Sequence, residues 1–102
     1  MRLGALAALG LALSVQPALA QDRAKAKAGE QVYNTYCATC HGDHLVSSGQ
    51  TFDLRKLRAD ERPRFENSVL NGKNQMPPWK GALSADEIEQ IWNYVRSNSN
   101  EK

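Results

Sequence analysis

A chain of 102 residues favours one domain, too small to bury a large apolar core. Its 13 Lys and Arg against 11 Asp and Glu leave it near neutral, which excludes the basic footprint of a nucleic-acid binder or a polybasic membrane contact. There are only two cysteines, Cys37 and Cys40, and a disulfide between them would constrain almost nothing of the unfolded chain.

Met1-Arg2 makes a short positive start, and Leu3 to Leu13 is an unbroken run of Leu, Ala and Gly. Ala18-Leu19-Ala20 then sets small residues at the two positions that signal peptidase reads. We read residues 1–20 as a secretory signal peptide, cut before Gln21, and residues 21–102 as the mature domain. The apolar run is too short to span about 30 Å of hydrocarbon. The mature protein is therefore expected in the periplasm, with no stable membrane insertion. Exported domains of this size usually carry several disulfides. Here any stabilising cross-link must come from elsewhere, and a large apolar cofactor fixed to both sulfurs would supply it.

Gln21 to Lys27 is polar and alanine-rich, an arm or the start of a helix. From Ala28 the apolar spacing of Val32, Tyr33 and Tyr36 predicts a helix that runs into Cys37-Ala38-Thr39-Cys40-His41 and stops at Gly42. Residues 43–52 compose a loop. Leu54 and Leu57 share one helical face. Asp60 or a neighbour should cap a helix with Pro63 in its first turn. That helix should bury Phe65, Val69 and Leu70 and close at Gly72. Residues 73–81, with Pro77 and Pro78, form an aperiodic loop that is stiff all the same. Ser84 and Glu87 fit a capping box. Ile88, Ile91, Trp92 and Val95 then make the apolar stripe of a last helix. No strand-like alternation occurs, so the fold class is all-α, with three to four helices.

Three chemistries suit the cysteines. A redox pair wants its first cysteine exposed at a helix start after a strand, whereas this pair ends a predicted helix. A helix end, with its partial negative charge, would raise a thiol pKa. A zinc site wants a fourth donor at a recognisable spacing, and His44 lies too close to His41 to complete a tetrahedron. Cys-x-x-Cys-His is the attachment signature of covalent haem: both thiols join the porphyrin and the histidine binds the iron beside them. Export and the use of both cysteines favour this third reading. His41 alone would leave an open sixth position, as in a haem sensor or a peroxidase-like protein. Met76 is the one methionine left after signal cleavage, and it sits in the stiff Gln75-Met76-Pro77-Pro78 loop far enough downstream to return on the opposite haem face. We therefore expect Cys37 and Cys40 to hold one haem c, with His41 and Met76 as the metal ligands.

With these residues in place, the sequence resembles the small class I c-type cytochromes of bacteria from about Ala28 to Arg96. Gly29 and Tyr33 match the amino-terminal helix, Met76-Pro77-Pro78-Trp79 the methionine loop, and Ile91-Trp92-Asn93-Tyr94-Val95 the last helix. The resemblance implies an all-α class I cytochrome c fold around one haem, His/Met ligation, and single-electron transfer with no substrate turned over. It implies redox protein partners, a donor dehydrogenase and an acceptor oxidase or cytochrome; the carrier itself is expected to be a monomer. Asp53 to Leu57 and the methionine loop are also similar to the cytochromes that serve periplasmic quinoprotein alcohol dehydrogenases. One feature departs from the family. No proline lies between Gly42 and Arg62, where the family's proline segment offers a carbonyl to the histidine ring. A backbone carbonyl of the 45–50 loop is expected to take that role. The basic stretch Arg55 to Arg64 is interspersed with acids and reads as a solvated mixed face.

Overall fold

Alanines and lysines cost little in a helix, so the first helix extends well before the apolar spacing begins. The computed structural model describes residues 16–101. Met1-Arg2 and the Leu3–Leu13 run of the expected leader lie outside them. Helix α1 spans Gln16–Tyr36 and continues without a break through Gln21 to Lys27. A turn at Cys37 leads into the single helical turn α2, Ala38–His41. Three 3₁₀ turns follow at Asp43–Leu45, Leu54–Lys56 and Ala59–Glu61. Helix α3 is Arg62–Asn71 and α4 is Ala85–Ser97. Among the described residues there is no strand, only isolated bridges between Lys73 and Met76 and between Lys80 and Leu83. The architecture is all-α, as expected.

Helix α4 starts as its capping box requires. The Ser84 hydroxyl accepts from the Glu87 N–H at 3.1 Å, and the Glu87 carboxylate accepts from the Ser84 N–H at 2.9 Å. Ile88, Ile91, Trp92 and Val95 are buried, and Tyr94 joins them. Helix α3 buries Phe65 and Val69 and half-buries Leu70. Its Phe65 ring meets Trp92 at 5.1 Å. The expected cap at Asp60 is not made. Glu61 precedes α3 without a side-chain cap, and the Asp60 carboxylate pairs with Arg58 at 3.1 Å instead. The Ala59–Glu61 turn explains this, because it leads the chain into α3 already coiled. The basic stretch is mixed as read: Arg55 pairs with Asp53, Arg64 with Glu61, and Arg62 with Glu66 and Glu89. The polar tail is tied back, with the Asn100 N–H donating to the Arg55 carbonyl at 2.9 Å.

Helices α1 and α4 touch at backbone distance. A Cβ on the buried Gly29 would lie 1.9 Å from the Gln90 carbonyl oxygen. One turn on, Tyr33 is wholly buried and its ring meets Tyr94 at 5.3 Å. Gly29→Ala should thus destabilise the protein. Helix propensity alone would favour alanine by about 0.5–1 kcal/mol. The clash is with backbone and outweighs it, so a net loss of about 1–3 kcal/mol is expected in chemical denaturation. A stability equal to the parent's would show that the helices do not meet at this point.

Candidate functional site

The cysteine–histidine turn hangs from the end of α1. The Cys37 N–H donates to the Tyr33 carbonyl at 2.8 Å, which carries the helical path past Tyr36. The His41 N–H donates back to the Cys37 carbonyl at 2.9 Å. Cys37, Cys40 and His41 are thus gathered on one turn. Both thiols are free, Cys37 half-buried and Cys40 exposed. Burial, and secondarily the neighbouring Cys40, push the Cys37 thiol up to about 11. That is opposite to the lowered thiol of a redox pair. The cause differs from the helix-end charge expected from the sequence: Cys37 precedes a new short turn and is held neutral by burial. For zinc, no group of three or more His, Cys, Asp or Glu side chains converges among the described residues.

His41 is half-buried, and its Nδ1 is wholly buried with no hydrogen-bond partner. Burial lowers the ring's pKa, and the Phe52 backbone, which faces the ring, partly opposes this by favouring a proton. The carbonyl expected from the 45–50 loop makes no hydrogen bond to Nδ1. His44 points away from this site, with a side chain 79% exposed and 4.0 Å from Glu30.

Gly42 ends the turn at φ 93°, a region closed to most residues, and a Cβ there would lie 1.9 Å from the Val46 carbonyl oxygen. The Tyr33 hydroxyl donates to the Gly42 carbonyl at 2.6 Å, and the Leu45 backbone faces the same hydroxyl. Leu45 is fully buried beneath.

Met76 lies in a four-residue turn closed on both sides. The Lys73 N–H donates to the Met76 carbonyl at 3.1 Å, and the Met76 N–H to the Lys73 carbonyl at 2.8 Å. The turn is pinned to α3, because the Trp79 N–H donates to the Val69 carbonyl at 2.8 Å. Met76 and Trp79 are half-buried and pack against the same core as Cys37 and Ala38. Trp79 meets Tyr36, the residue before Cys37, edge to face at 5.3 Å. This ring pair joins the methionine loop to the cysteine turn. Neither it nor the Tyr33–Gly42 bond was foreseen from the sequence; the aromatics at one and four residues before Cys37 were the available signal.

A family model described as "Cytochrome C oxidase, cbb3-type, subunit III" matches residues 24–95. Among curated proteins, the quinohemoprotein alcohol dehydrogenase ADH-IIG of Pseudomonas putida is 37% identical over 81 residues, which is 78% of this chain and 11% of that protein. Cytochrome c6 of Nostoc sp. is 36% identical over 99 residues, covering 88% of this chain and 86% of the relative. The solved structure of ADHIIG from Pseudomonas putida HK5 superposes with a TM-score of 0.70 at 34% identity, over 76% of this chain and 12% of that one. The chain thus spans only a small part of the dehydrogenases it matches, but most of the cytochrome c6.

The Tyr33 hydroxyl gives a direct test of how the turn is held. Tyr33→Phe leaves the Gly42 carbonyl without its buried donor, and a loss of about 1–3 kcal/mol is expected. The denaturant midpoint should fall with an unchanged slope. An unmoved midpoint would show that the hydroxyl holds nothing.

Proposed function

The chain belongs to the c-type cytochrome family described by the cbb3-type oxidase subunit III, whose cofactor is haem c, and we propose that it is a periplasmic carrier of single electrons. Electron transfer on one covalent haem c is the function the family shares. The axial ligands, the location and the partner are our reading.

One observation carries the ligand set: the Tyr36–Trp79 contact brings the turn of Cys37, Cys40 and His41 beside the loop of Met76. The residues present fit a haem. Two free thiols stand three residues apart, and the next side chain is a histidine whose buried Nδ1 lacks a partner. Tyr36, Val46 and Phe52 near the turn are 46%, 52% and 42% exposed, apolar surface that a large flat cofactor would cover. When bound, the haem supplies a reversible one-electron change at its iron.

The chain's own groups divide the remaining work. Cys37 and Cys40 would hold the macrocycle covalently. His41 would bind the iron through Nε2, leaving its buried Nδ1 to carry the proton. The Met76 thioether would be the second ligand, and Pro77 and Pro78 stiffen its loop. A thioether ligand favours the ferrous state and raises the potential. Trp79 and Tyr36 exclude water between the two segments. No residue is assigned to turn over a substrate.

Export through residues 1–20, cut before Gln21, leaves residues 21–102 as the working protein, a monomer. No helix among the described residues is long and apolar enough to cross a membrane. The likeness to ADH-IIG supports a quinoprotein alcohol dehydrogenase as donor, with an oxidase or another cytochrome as acceptor.

Absorption spectroscopy tests the ligand set. The oxidised protein should show a weak near-infrared sulfur-to-iron band. Met76→Ala should abolish that band, lower the potential and let carbon monoxide bind the reduced form. A parent protein that is high-spin and binds carbon monoxide would instead have the open sixth position of a sensor or peroxidase.

A further inference from the structure

We propose that Gly72 is a positioning residue for Met76: with no side chain where α3 ends, it lets the Met76–Pro78 backbone lie directly on the helix end and so sets where the thioether stands. The inference rests on the reading of Met76 as the second iron ligand.

Hydrogen bonds draw the loop onto the helix, and the glycine permits the approach. The last carbonyls of a helix have no partner within it. At the end of α3 the Gly72 N–H donates to the Ser68 carbonyl at 2.9 Å, the Trp79 N–H to the Val69 carbonyl at 2.8 Å and the Lys80 N–H to the Leu70 carbonyl at 3.3 Å. Pro77 and Pro78 have no N–H to offer, so the first donors after Met76 are Trp79 and Lys80. These bonds fold the methionine loop back over the end of α3, across Gly72. Gly72 leaves the helix at φ 78° and ψ 168°, a backbone region that essentially glycine alone occupies. A Cβ on it would stand 2.6 Å from the Met76 carbonyl oxygen, 3.0 Å from the Pro78 nitrogen and 3.2 Å from the Pro77 carbonyl carbon. All of these are backbone atoms, so none can swing aside as a side chain would. The same Met76 oxygen accepts from the Lys73 N–H. Contact with Gly72 and that hydrogen bond together locate one carbonyl.

The chemistry explains why such a stop is needed. A methionine side chain is unbranched, with three rotatable bonds, so it does not place its own sulfur. Placement must come from the backbone. Pro77 and Pro78 stiffen the loop, and a stiff loop transmits a displacement instead of absorbing it. A methyl group at residue 72 should therefore displace the loop as a unit, and Met76 with it. Gly81 separates this effect from backbone strain. It lies in the same loop at φ 84°, but a Cβ there would meet nothing within 4 Å.

The test uses haem-loaded protein with Gly72→Ala, Gly81→Ala, Met76→Ala, and the Gly72→Ala/Met76→Ala pair. Two quantities are measured: the near-infrared sulfur-to-iron band of the oxidised form, and the affinity of the reduced form for carbon monoxide. In Gly72→Ala the band should weaken and carbon monoxide should bind about tenfold more tightly, the scale of the strain from one methyl group too many. Gly81→Ala should keep the parent's band and affinity, although both glycine variants lose stability. The pair should bind carbon monoxide as Met76→Ala does, because Gly72 acts on the iron only through Met76. A Gly72→Ala protein with the parent's band and affinity overturns the inference. So does a Gly81→Ala protein that changes as Gly72→Ala does, or a pair that differs from Met76→Ala. Where Gly72→Ala alone loads no haem, loading of the pair decides. Loading equal to that of Met76→Ala supports the inference, and failure overturns it, since Gly72 would then serve the fold and not the ligand. A parent protein with an open sixth position overturns the Met76 assignment as well. A Met76-ligated parent indifferent to Gly72→Ala overturns this inference alone.

Discussion

Gly29 lets α1 and α4 approach until backbone meets backbone, and the site hangs from that contact. With the helices so close, Tyr33 falls one turn later into the seam and lies against Tyr94. A tyrosine buried there must satisfy its hydroxyl, and the group within reach is the Gly42 carbonyl. The same bond fixes the exit of the cysteine–histidine turn. A packing constraint between two helices is thereby converted into a position for His41, through one hydroxyl and without a sheet or a disulfide.

The chain after Gly42 adopts an unfavourable backbone because the core rewards it. His44 and Leu45 both take positive φ, 54° and 68°. Left-handed residues cost about 1–2 kcal/mol each, so the pair costs about 2–4. Full burial of the Leu45 side chain contributes about 1.5–3 kcal/mol, nearly the same amount. The Tyr33 hydroxyl, facing both Gly42 and Leu45, then decides the balance. The tight reversal turns Leu45 inward and leaves His44 outside, which is why the second histidine takes no part in the site.

Much of this was legible in the residues. Ser84 with Glu87, the stripe from Ile88 to Val95, Pro63 early in α3 and the stop at Gly42 are local signals, and the local physics was enough. Gly29 and Tyr33 were legible as a pair because helical spacing put them on one face. The start of α1 was not, since alanine and lysine extend a helix without any apolar period to mark it. The cap of α3 was misplaced because a preceding 3₁₀ turn replaced the side chain that should have capped it. The Tyr36–Trp79 contact and the Thr51–Cys40 bond join residues far apart in sequence, and no spacing rule addresses them.

The two halves of the site are made rigid by different means, and each suits the ligand proposed for it. The methionine loop has no helix of its own, yet both carbonyl–amide pairs of the Lys73–Met76 turn are closed and Trp79 is fastened to Val69. With two prolines beyond Met76, few backbone angles remain to fluctuate. A thioether has no proton to place, so holding its backbone is sufficient. A histidine ligand has a second nitrogen whose proton must also be placed, and backbone rigidity at His41 does not achieve that. The carbonyls on either side of it, Cys40 and Gly42, are each engaged by a distant hydroxyl, from Thr51 and from Tyr33. The asymmetry follows from the ligands proposed here: a soft donor with one contact needs a stiff loop, and an imidazole with two needs its neighbours held as well.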